Sequence, residues 1–462
     1  MTSSNCIDCN RAELFRRAAA TAGNGLPEIE AGMPLPAGTG LTRHDFLYRA
    51  GGLALAIYGG SALRSGAFEN GIAEAAAAAT AADKVLVSVF LSGGIDALNV
   101  LFPAGDPAYY SLRPTIALPQ TAGRPFAEDS RLRWHPAAGG LATLHGEGKV
   151  SVIPAIGYDN SDKSHFTARH YYEVGATDAT LRTGWLGRYL DKVGTADNPL
   201  QGLTLDIALQ PVVATARVPV ATLQGADQYR FDAPGVPAHP LELSILQEAA
   251  NIGAAHAKSR DPALRAAGEA ALQSHRLHGE LGSLAYGFKT PVAYPTSNDP
   301  FPRRLAGLAA MLGSGLPVRV VTITSPGRFD THATQANTLQ AGLQLTVDSL
   351  VAFQRDLEAR GLADRVLVHV WSEFGRRGAE NASRGTDHGA AGVGFLIGSR
   401  VKGQMIGSHP GVSGGGLDAQ GNLRPTADFR AVYAGLLEQW LGADGNDILP
   451  QARPFSRPSL LK

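Results

Sequence analysis

The residues of this chain that could do chemistry are acidic and imidazole side chains that follow short apolar runs. Asp96 comes after the run 85–91 and two glycines, and Asp330 and His332 come after the run 318–323. Carboxylate oxygens and imidazole nitrogens are the usual side-chain ligands of divalent metal ions. Asp and His two positions apart at the end of a strand can face one ion, and they can equally form a hydrogen-bonded loop pair. For Asp96 the alternative is a cap on the next helix.

A second set of reactive residues follows the apolar run 150–155. Ser164 and His165 stand before a predicted helix that carries Arg169. A serine at a turn from strand to helix can be a nucleophile, because the amino end of the helix favours developing negative charge. The alternative for Ser164 is an N-cap.

The same pattern occurs once more near the carboxyl end of the chain. The run 366–371 is followed by Glu373, and Asp387 and His388 precede another apolar run, 393–397. Four apolar runs thus each lead into a turn with an acid, a histidine or a serine. Because the carboxyl ends of parallel strands lie along one edge of a sheet, we expect these turns to converge. The sequence predicts a mostly parallel sheet with a shared metal site that handles an anion.

Composition excludes several classes of function. The 462 residues contain 41 Lys and Arg and 41 Asp and Glu, so the formal charge is zero and nucleic acid is not an expected partner. Cys6 and Cys9 are the two cysteines, so no disulfide framework is predicted for the rest of the chain. The segment LSGGIDALN lacks the third glycine of a dinucleotide-binding turn, which argues against a nicotinamide oxidoreductase.

The amino-terminal 82 residues resemble an extension followed by an export signal. Residues 1–40 are predicted to be a flexible extension, and residues 41–82 contain a basic start, an apolar centre (51–63) and an alanine tract (75–82). The apolar centre is too short to form a stable membrane span. Thr42 to Leu47 resembles a twin-arginine signal, with His44 where the second arginine belongs.

The prediction from this segment is export to the periplasm or the cell exterior by the machinery for folded proteins. Cleavage is expected near Ala82, which would remove Cys6 and Cys9. The alternative is a flexible extension on a cytoplasmic protein.

Several longer motifs give the chain a resemblance to a known family. From about residue 84 to residue 441 it resembles the family of unknown function DUF1501, within the alkaline phosphatase-like superfamily of phosphatases and sulfatases. The motifs that carry the resemblance are LSGGIDALN, DPAYYSLRPTIALP, Ser164-His165-Phe166, TGWLGRYLD, FDTHA, WSEFGRR, TDHG and LRPTADFRAVYAGLLEQWL.

The resemblance implies a three-layer α/β/α alkaline phosphatase-like fold with a mostly parallel central sheet over residues 83–462, with 200–300 as a peripheral insertion. It further implies an exported metal-dependent hydrolase of phosphate or sulfate esters, acting on an anionic small-molecule or glycan ester with zinc, manganese, calcium or magnesium. The residues that we predict for each role are Asp96, Asp330, His332, Glu373, Asp387 and His388 for metal binding, Ser164, His165 and Arg169 for catalysis, and Asn99, Arg328 and Arg376 for substrate binding.

One departure from the superfamily pattern supports an alternative function. The superfamily has an Asp-His pair where this chain has Glu373 and Phe374. The alternative is therefore an exported binding or assembly protein that retains the fold and a structural metal ion without catalysis.

Overall fold

The computed structural model describes residues 55–58, 84–195, 198–227, 239–261 and 287–462, together with single positions between 264 and 284. The predicted extension 1–40, with Cys6 and Cys9, and most of the export-like segment 41–82 lie outside the described residues. Export therefore stays a prediction from the sequence.

Short, β-branched and apolar segments form the strands, as the apolar runs predict. The described strands are, in chain order, β1 (Leu55–Tyr58), β2 (Val85–Phe90), β3 (Leu101–Phe102), β4 (Arg124–Pro125), β5 (Arg133–Trp134), β6 (Val150–Gly157), β7 (Gly202–Thr204), β8 (Val220–Leu223), β9 (Val320–Thr324), β10 (Val366–Trp371), β11 (Gly375–Arg376), β12 (His388–Gly389), β13 (Gly392–Ile397) and β14 (Ala427–Asp428).

The helices follow strands or precede them, as expected of an α/β chain. The described α-helices are α1 (Ala97–Val100), α2 (Pro107–Leu112), α3 (Gly139–Gly146), α4 (Thr167–Val174), α5 (Trp185–Val193), α6 (His239–His256), α7 (Phe301–Gly313), α8 (Gln335–Ala359), α9 (Phe429–Gly435) and α10 (Gly445–Ile448).

Nine strands form one central sheet in the order β1-β8-β7-β9-β2-β10-β13-β6-β14. The strands β8, β7, β9, β2 and β10 are mutually parallel. Within this sheet, β13 is antiparallel to both of its neighbours and β1 is antiparallel to β8. Because β13 separates them, β6 runs in the same direction as β10, so β2, β6, β9 and β10 all end at one edge.

The two faces of this sheet are covered by different helices. Along β2, the side chains of Val85, Val87 and Val89 belong to one apolar core, which also contains residues of α7 and α8. The side chains of Leu86 and Phe90 point to the other face and belong to a second core with residues of α5 and α9. Alternating side chains of one strand thus fill two cores. The predicted three-layer α/β/α fold with a mostly parallel sheet is confirmed.

The expected peripheral insertion, 200–300, includes two short strands at its start. The strand β7 pairs with β9, and β8 pairs with β7, so both belong to the central sheet. They contain three and four residues, too few to show a period in the sequence. Among the described residues, no helix has the length and apolar character needed to cross a membrane.

Candidate functional site

The turns after β6, β9 and β10 bring acidic and imidazole side chains together at one edge of the sheet. His165 follows β6, Asp330 follows β9 and Glu373 follows β10, while His388 lies on β12, which pairs with β11 just beyond β10. One ligand atom from each of His165, Asp330 and His388 lies within 4.8 Å of the others. This edge is where open α/β sheets bind their ligands.

Three imidazole Nε2 atoms surround Asp330 Oδ1. The distances to this oxygen are 3.1 Å from His332, 3.4 Å from His388 and 3.5 Å from His165. The Nε2 atoms of His332 and His388 are 2.9 Å apart. Donor atoms bound to one zinc ion at ~2.0 Å in a tetrahedron are about 3.3 Å apart, so the separations from Asp330 Oδ1 are of the size that a shared ion requires. The ligand atoms that all lie within 4.8 Å of one another are those of His165, Asp330 and His388, and His332 adjoins this group through Asp330 and His388. We call these four residues the Asp330 cluster.

Two of the rings are oriented by hydrogen bonds on their other nitrogen. His165 Nδ1 lies 2.9 Å from Glu373 Oε1, and His388 Nδ1 lies 2.9 Å from the backbone carbonyl oxygen of Lys163. A carbonyl or carboxylate oxygen accepts, so each Nδ1 carries the donated hydrogen. The lone pair of the neutral ring is then on Nε2, which faces the cluster. Metal-binding histidines commonly have this arrangement.

The ring of His332 also has an acidic oxygen near its Nδ1, from a carboxylate that is more exposed than Glu373. His332 Nδ1 lies 3.4 Å from Asp387 Oδ1, and Asn381 donates a hydrogen bond of 3.0 Å from its Nδ2 to that oxygen. Asp387 is half exposed. The structure therefore places Asp387 behind His332 rather than in the centre of the cluster.

Glu373 is held in turn by the two glycines that follow β2. The backbone N–H groups of Gly93 and Gly94 donate hydrogen bonds of 2.9 and 3.1 Å to its two carboxylate oxygens. Both glycines have positive φ angles, +116° and +72°. A Cβ on Gly93 would lie 2.2 Å from the backbone nitrogen of Asp330, and one on Gly94 would lie 2.2 Å from the ring of Phe374. The close approach and the positive φ require glycine at both positions.

The charges of the cluster shift the pKa values of its members. Burial would lower the pKa of His165, but Asp330 and Glu373 outweigh burial and raise it to about 9. Burial would raise the pKa of Asp330, but hydrogen bonds from the three rings and the charge of Arg376 hold it well below its ordinary value. The pKa of His388 is lowered by burial, and Arg376 and His165 add to this effect. Without an ion at neutral pH, Asp330 is therefore a carboxylate and the His388 ring is neutral, whereas His165 is protonated. A metal ion that binds through His165 Nε2 must displace the proton from that nitrogen, so binding would release a proton.

Asp96, predicted as a metal ligand, is not brought into the cluster. It is fully buried, and its oxygens accept hydrogen bonds of 2.6 and 3.0 Å from Arg113 and one of 2.5 Å from Gln335. Its Oδ1 also accepts from the backbone of Leu98, which caps α1. These contacts agree with the alternative prediction, in which Asp96 caps the next helix. They do not support Asp96 as a metal ligand.

The predicted catalytic serine and arginine lie on the same stretch as His165. Ser164 Oγ accepts hydrogen bonds from the backbone N–H groups at the start of α4, at 3.2 Å from Phe166. The guanidinium of Arg169 lies 4.6 Å from the centre of the Phe90 ring and donates to Glu173 and Gln210. Ser164 thus has the contacts of an N-cap, and Arg169 is held in a fixed position at the sheet edge.

Two of the three predicted substrate-binding residues are engaged in the protein interior. Asn99 is buried and accepts from Tyr109 and Arg113 through its Oδ1. Arg376 is buried, donates to several backbone carbonyls and lies 2.8 Å from Asp330 Oδ1. Arg328 is exposed two residues before Asp330, so it is the member of this set that a ligand can reach.

Some of the groups that orient the imidazole rings could not be identified from the sequence. The carbonyl of Lys163 has no side-chain signal, and the role of Asn381 depends on a turn that only the fold defines. The pair Gly93 and Gly94 was noticed as a turn, and two consecutive glycines were the available signal for a backbone carboxylate-binding site.

Comparison with known proteins finds one matching family and several solved structures of low similarity. The model described as "Protein of unknown function (DUF1501)" matches residues 152–449, more than half of the chain. No curated protein matches this chain.

The similar solved structures share little sequence with it. The lipoteichoic acid synthase LtaP from Listeria monocytogenes is 10% identical over 82% of this chain and 77% of that one, with a TM-score of 0.33. The PsFucS1 sulfatase from Pseudoalteromonas sp. is 11% identical over 82% and 72%, with a TM-score of 0.33. A protein of the alkaline phosphatase superfamily from Vibrio parahaemolyticus is 9% identical over 87% and 76%, with a TM-score of 0.32. Similarity at this level assigns no role to any residue.

The buried ion pair of Asp96 and Arg113 leads to a prediction about the free energy of unfolding of single and double variants. Arg113→Met leaves a buried carboxylate without its partner, so we expect the free energy of unfolding to fall by about 3–5 kcal/mol. The double variant Asp96→Asn with Arg113→Met should lose less, because no buried charge remains unpaired. Denaturant titration measures both, with Arg124→Met on the exposed strand β4 as the control. Equal losses for the single and double variants would contradict the prediction.

Proposed function

The chain belongs to the DUF1501 family, and from its Asp330 cluster we propose that it is a metal-dependent hydrolase of phosphate or sulfate esters with one ion per chain. The observation that carries the proposal is the convergence of three imidazole Nε2 atoms on Asp330 Oδ1. These rings and this carboxylate match the ligand set and outer hydrogen bonds of a metal centre.

The ligand set favours some of the predicted metals over others. A set of imidazole nitrogens with one carboxylate oxygen suits zinc, and imidazole also suits several other transition-metal ions, whereas calcium and magnesium prefer all-oxygen sites. We therefore propose zinc first and manganese second among the four metals predicted from the sequence. When bound, such an ion supplies Lewis acidity at this edge of the sheet.

The residues around the cluster suit an anionic ester. Arg328 is exposed and could contact its oxygens, whereas Arg376 is buried and paired with Asp330. Arg169 is partly exposed and could take part if it exchanged its hydrogen bonds to Glu173 and Gln210 for the ester.

Ser164 is the proposed nucleophile, because its Oγ lies at the amino end of α4, which favours negative charge. It would form a bond to phosphorus or sulfur while the ester bond breaks and the alcohol leaves with the proton that Ser164 loses, and water would then hydrolyse the serine ester and restore Ser164. The catalytic role predicted for His165 stays a prediction, because its Nδ1 faces Glu373 and its Nε2 faces Asp330 in the cluster.

A second candidate function is a binding or assembly protein that keeps the metal ion without catalysis. The observation that favours it is that Asp96 pairs with Arg113, while the Oγ of Ser164 already accepts two backbone hydrogen bonds. Under this alternative the ion stabilises the sheet edge and Ser164 serves as a cap.

The metal proposal predicts one ion per chain and two distinct types of variant. Asp330→Ala removes the central ligand, so the purified protein should lose its ion. Glu373→Gln keeps one acceptor oxygen but removes the negative charge behind His165 and the second acceptor of the glycine turn, so saturation should still reach one ion, with affinity about 10- to 100-fold lower. Elemental analysis and zinc titration measure these quantities, and exposed Asp364→Ala is the control. Native protein that binds no zinc or manganese, or Glu373→Gln with no loss of affinity, would count against the respective assignment.

The two candidate functions differ in their response to ester substrates. If the chain is a hydrolase, it should cleave 4-nitrophenyl phosphate or 4-nitrophenyl sulfate when loaded with zinc or manganese. Ser164→Ala should lower kcat/KM by a factor on the order of 100 or more, with exposed Ser408→Ala as the control. Full activity in Ser164→Ala would exclude that nucleophile. No turnover with any metal, in a protein that binds one ion, would favour the non-catalytic function.

We also propose that the protein is exported, and this proposal rests on the sequence of residues 41–82. We expect the exported fraction to contain a chain that begins near residue 83, because the small residues before it resemble a cleavage site. Intact-mass measurement of the exported and cytosolic fractions tests this. A full-length chain confined to the cytosol would contradict export.

A further inference from the structure

A pocket of about 670 Å³ opens beside the Asp330 cluster. Its walls are the loop after β6, residues 158–163, and the loop before β14, residues 418–425. Because β14 pairs with the end of β6, both loops lie at the same sheet edge as the cluster. A pocket of this size holds a ligand of one or two rings.

The walls are polar and their charges balance. Two carboxylates, Asp159 and Asp418, stand against two cations, Lys163 and Arg424, and amide side chains fill much of the rest. A balanced set of donors and acceptors favours a neutral ligand that both donates and accepts hydrogen bonds, and it gives no advantage to a polyanion. Closely spaced hydroxyl groups have this property.

One wall residue has an acceptor without a donor. Asn422 is 1% exposed, and its Nδ2 donates to Asp418 Oδ2 at 2.8 Å, which fixes the orientation of the amide. Its Oδ1 accepts no hydrogen bond from the described part of the chain. A buried acceptor in this state destabilises the protein. The group that would satisfy it is a hydroxyl or an amide hydrogen from outside.

The pocket is joined to the cluster through one residue of its wall. Lys163 lines the pocket, and its carbonyl accepts from His388 Nδ1 at 2.9 Å. Lys163 and Asn160 both have positive φ angles, +60° and +56°, which residues with a side chain adopt at a cost. Strain of this kind is concentrated at ligand-binding and catalytic sites.

From these observations we propose that the pocket binds the alcohol part of the substrate, and that this part is a sugar or a similar polyhydroxyl group. The assignment rests on the proposed function, because it is the cluster that would hold the ester group. The pocket would hold the hydroxyls of the same molecule, so it would select sugar esters over simple aryl esters.

Binding of unesterified sugars tests the pocket separately from hydrolysis. The probes are lactose, maltose and cellobiose, titrated against the native chain, since these sugars contain no ester that the cluster could act on. We expect at least one of them to bind, and Gln420→Ala and Arg424→Ala each to weaken that binding about tenfold through the loss of a hydrogen bond. Arg400→Ala, in a cavity at the opposite edge of the sheet, is the matched control and should bind normally.

The outcomes separate this inference from the proposed function. If none of the three sugars binds, or if Gln420→Ala and Arg424→Ala both bind as well as the control, the sugar assignment is overturned whatever the aryl esters show. If the sugars bind and no ester is cleaved, the pocket assignment holds and the hydrolase proposal fails. For a chain that cleaves esters, the same two variants should raise KM for a galactose sulfate or phosphate about tenfold.

Discussion

The carboxylate of Glu373 is the contact on which the geometry of the site depends. It accepts hydrogen bonds from Gly93 and Gly94 after β2, from Ser372 at the end of β10, and from His165 after β6. A buried carboxylate is costly unless its lone pairs are satisfied, and here they are. Despite its burial, which would raise it, the pKa of Glu373 is lowered by His165 and by the other donors. The charge is therefore retained, and three strand ends that are remote in sequence are fixed to one another.

The strands and the edge at which their turns meet could be predicted from the sequence. Apolar runs such as Val85–Phe90 and Val366–Trp371 are long enough and sufficiently β-branched to be recognised, and the general geometry of parallel sheets then places the turns together. Asp330 and His332, two positions apart, were noticed as a pair for the same reason. These inferences need only local patterns and a rule about sheet direction, which explains why they agree with the fold.

The partner of each side chain could not be predicted, because partners come from remote positions. Asp96 and Glu373 both follow strands and look alike in sequence, yet Asp96 is neutralised by Arg113 and Glu373 orients a histidine. Arg113 lies in a loop whose direction no periodicity reveals. The place of the short strands β7 and β8 in the central sheet could not be predicted for a related reason, since a few residues acquire their strand character mainly from the neighbours with which they pair.

The cluster is assembled from separate turns of the chain, and this determines at which stage of folding the proposed ion could bind. The cluster draws His165, Asp330 and His388 from turns that the finished sheet alone brings together. An unfolded or partly synthesised chain offers at most the nearby pair Asp330 and His332, which is a weak chelate. If the cluster holds an ion as proposed, loading would follow folding, and the identity of the ion would reflect the metal supply of the compartment in which the sheet assembles.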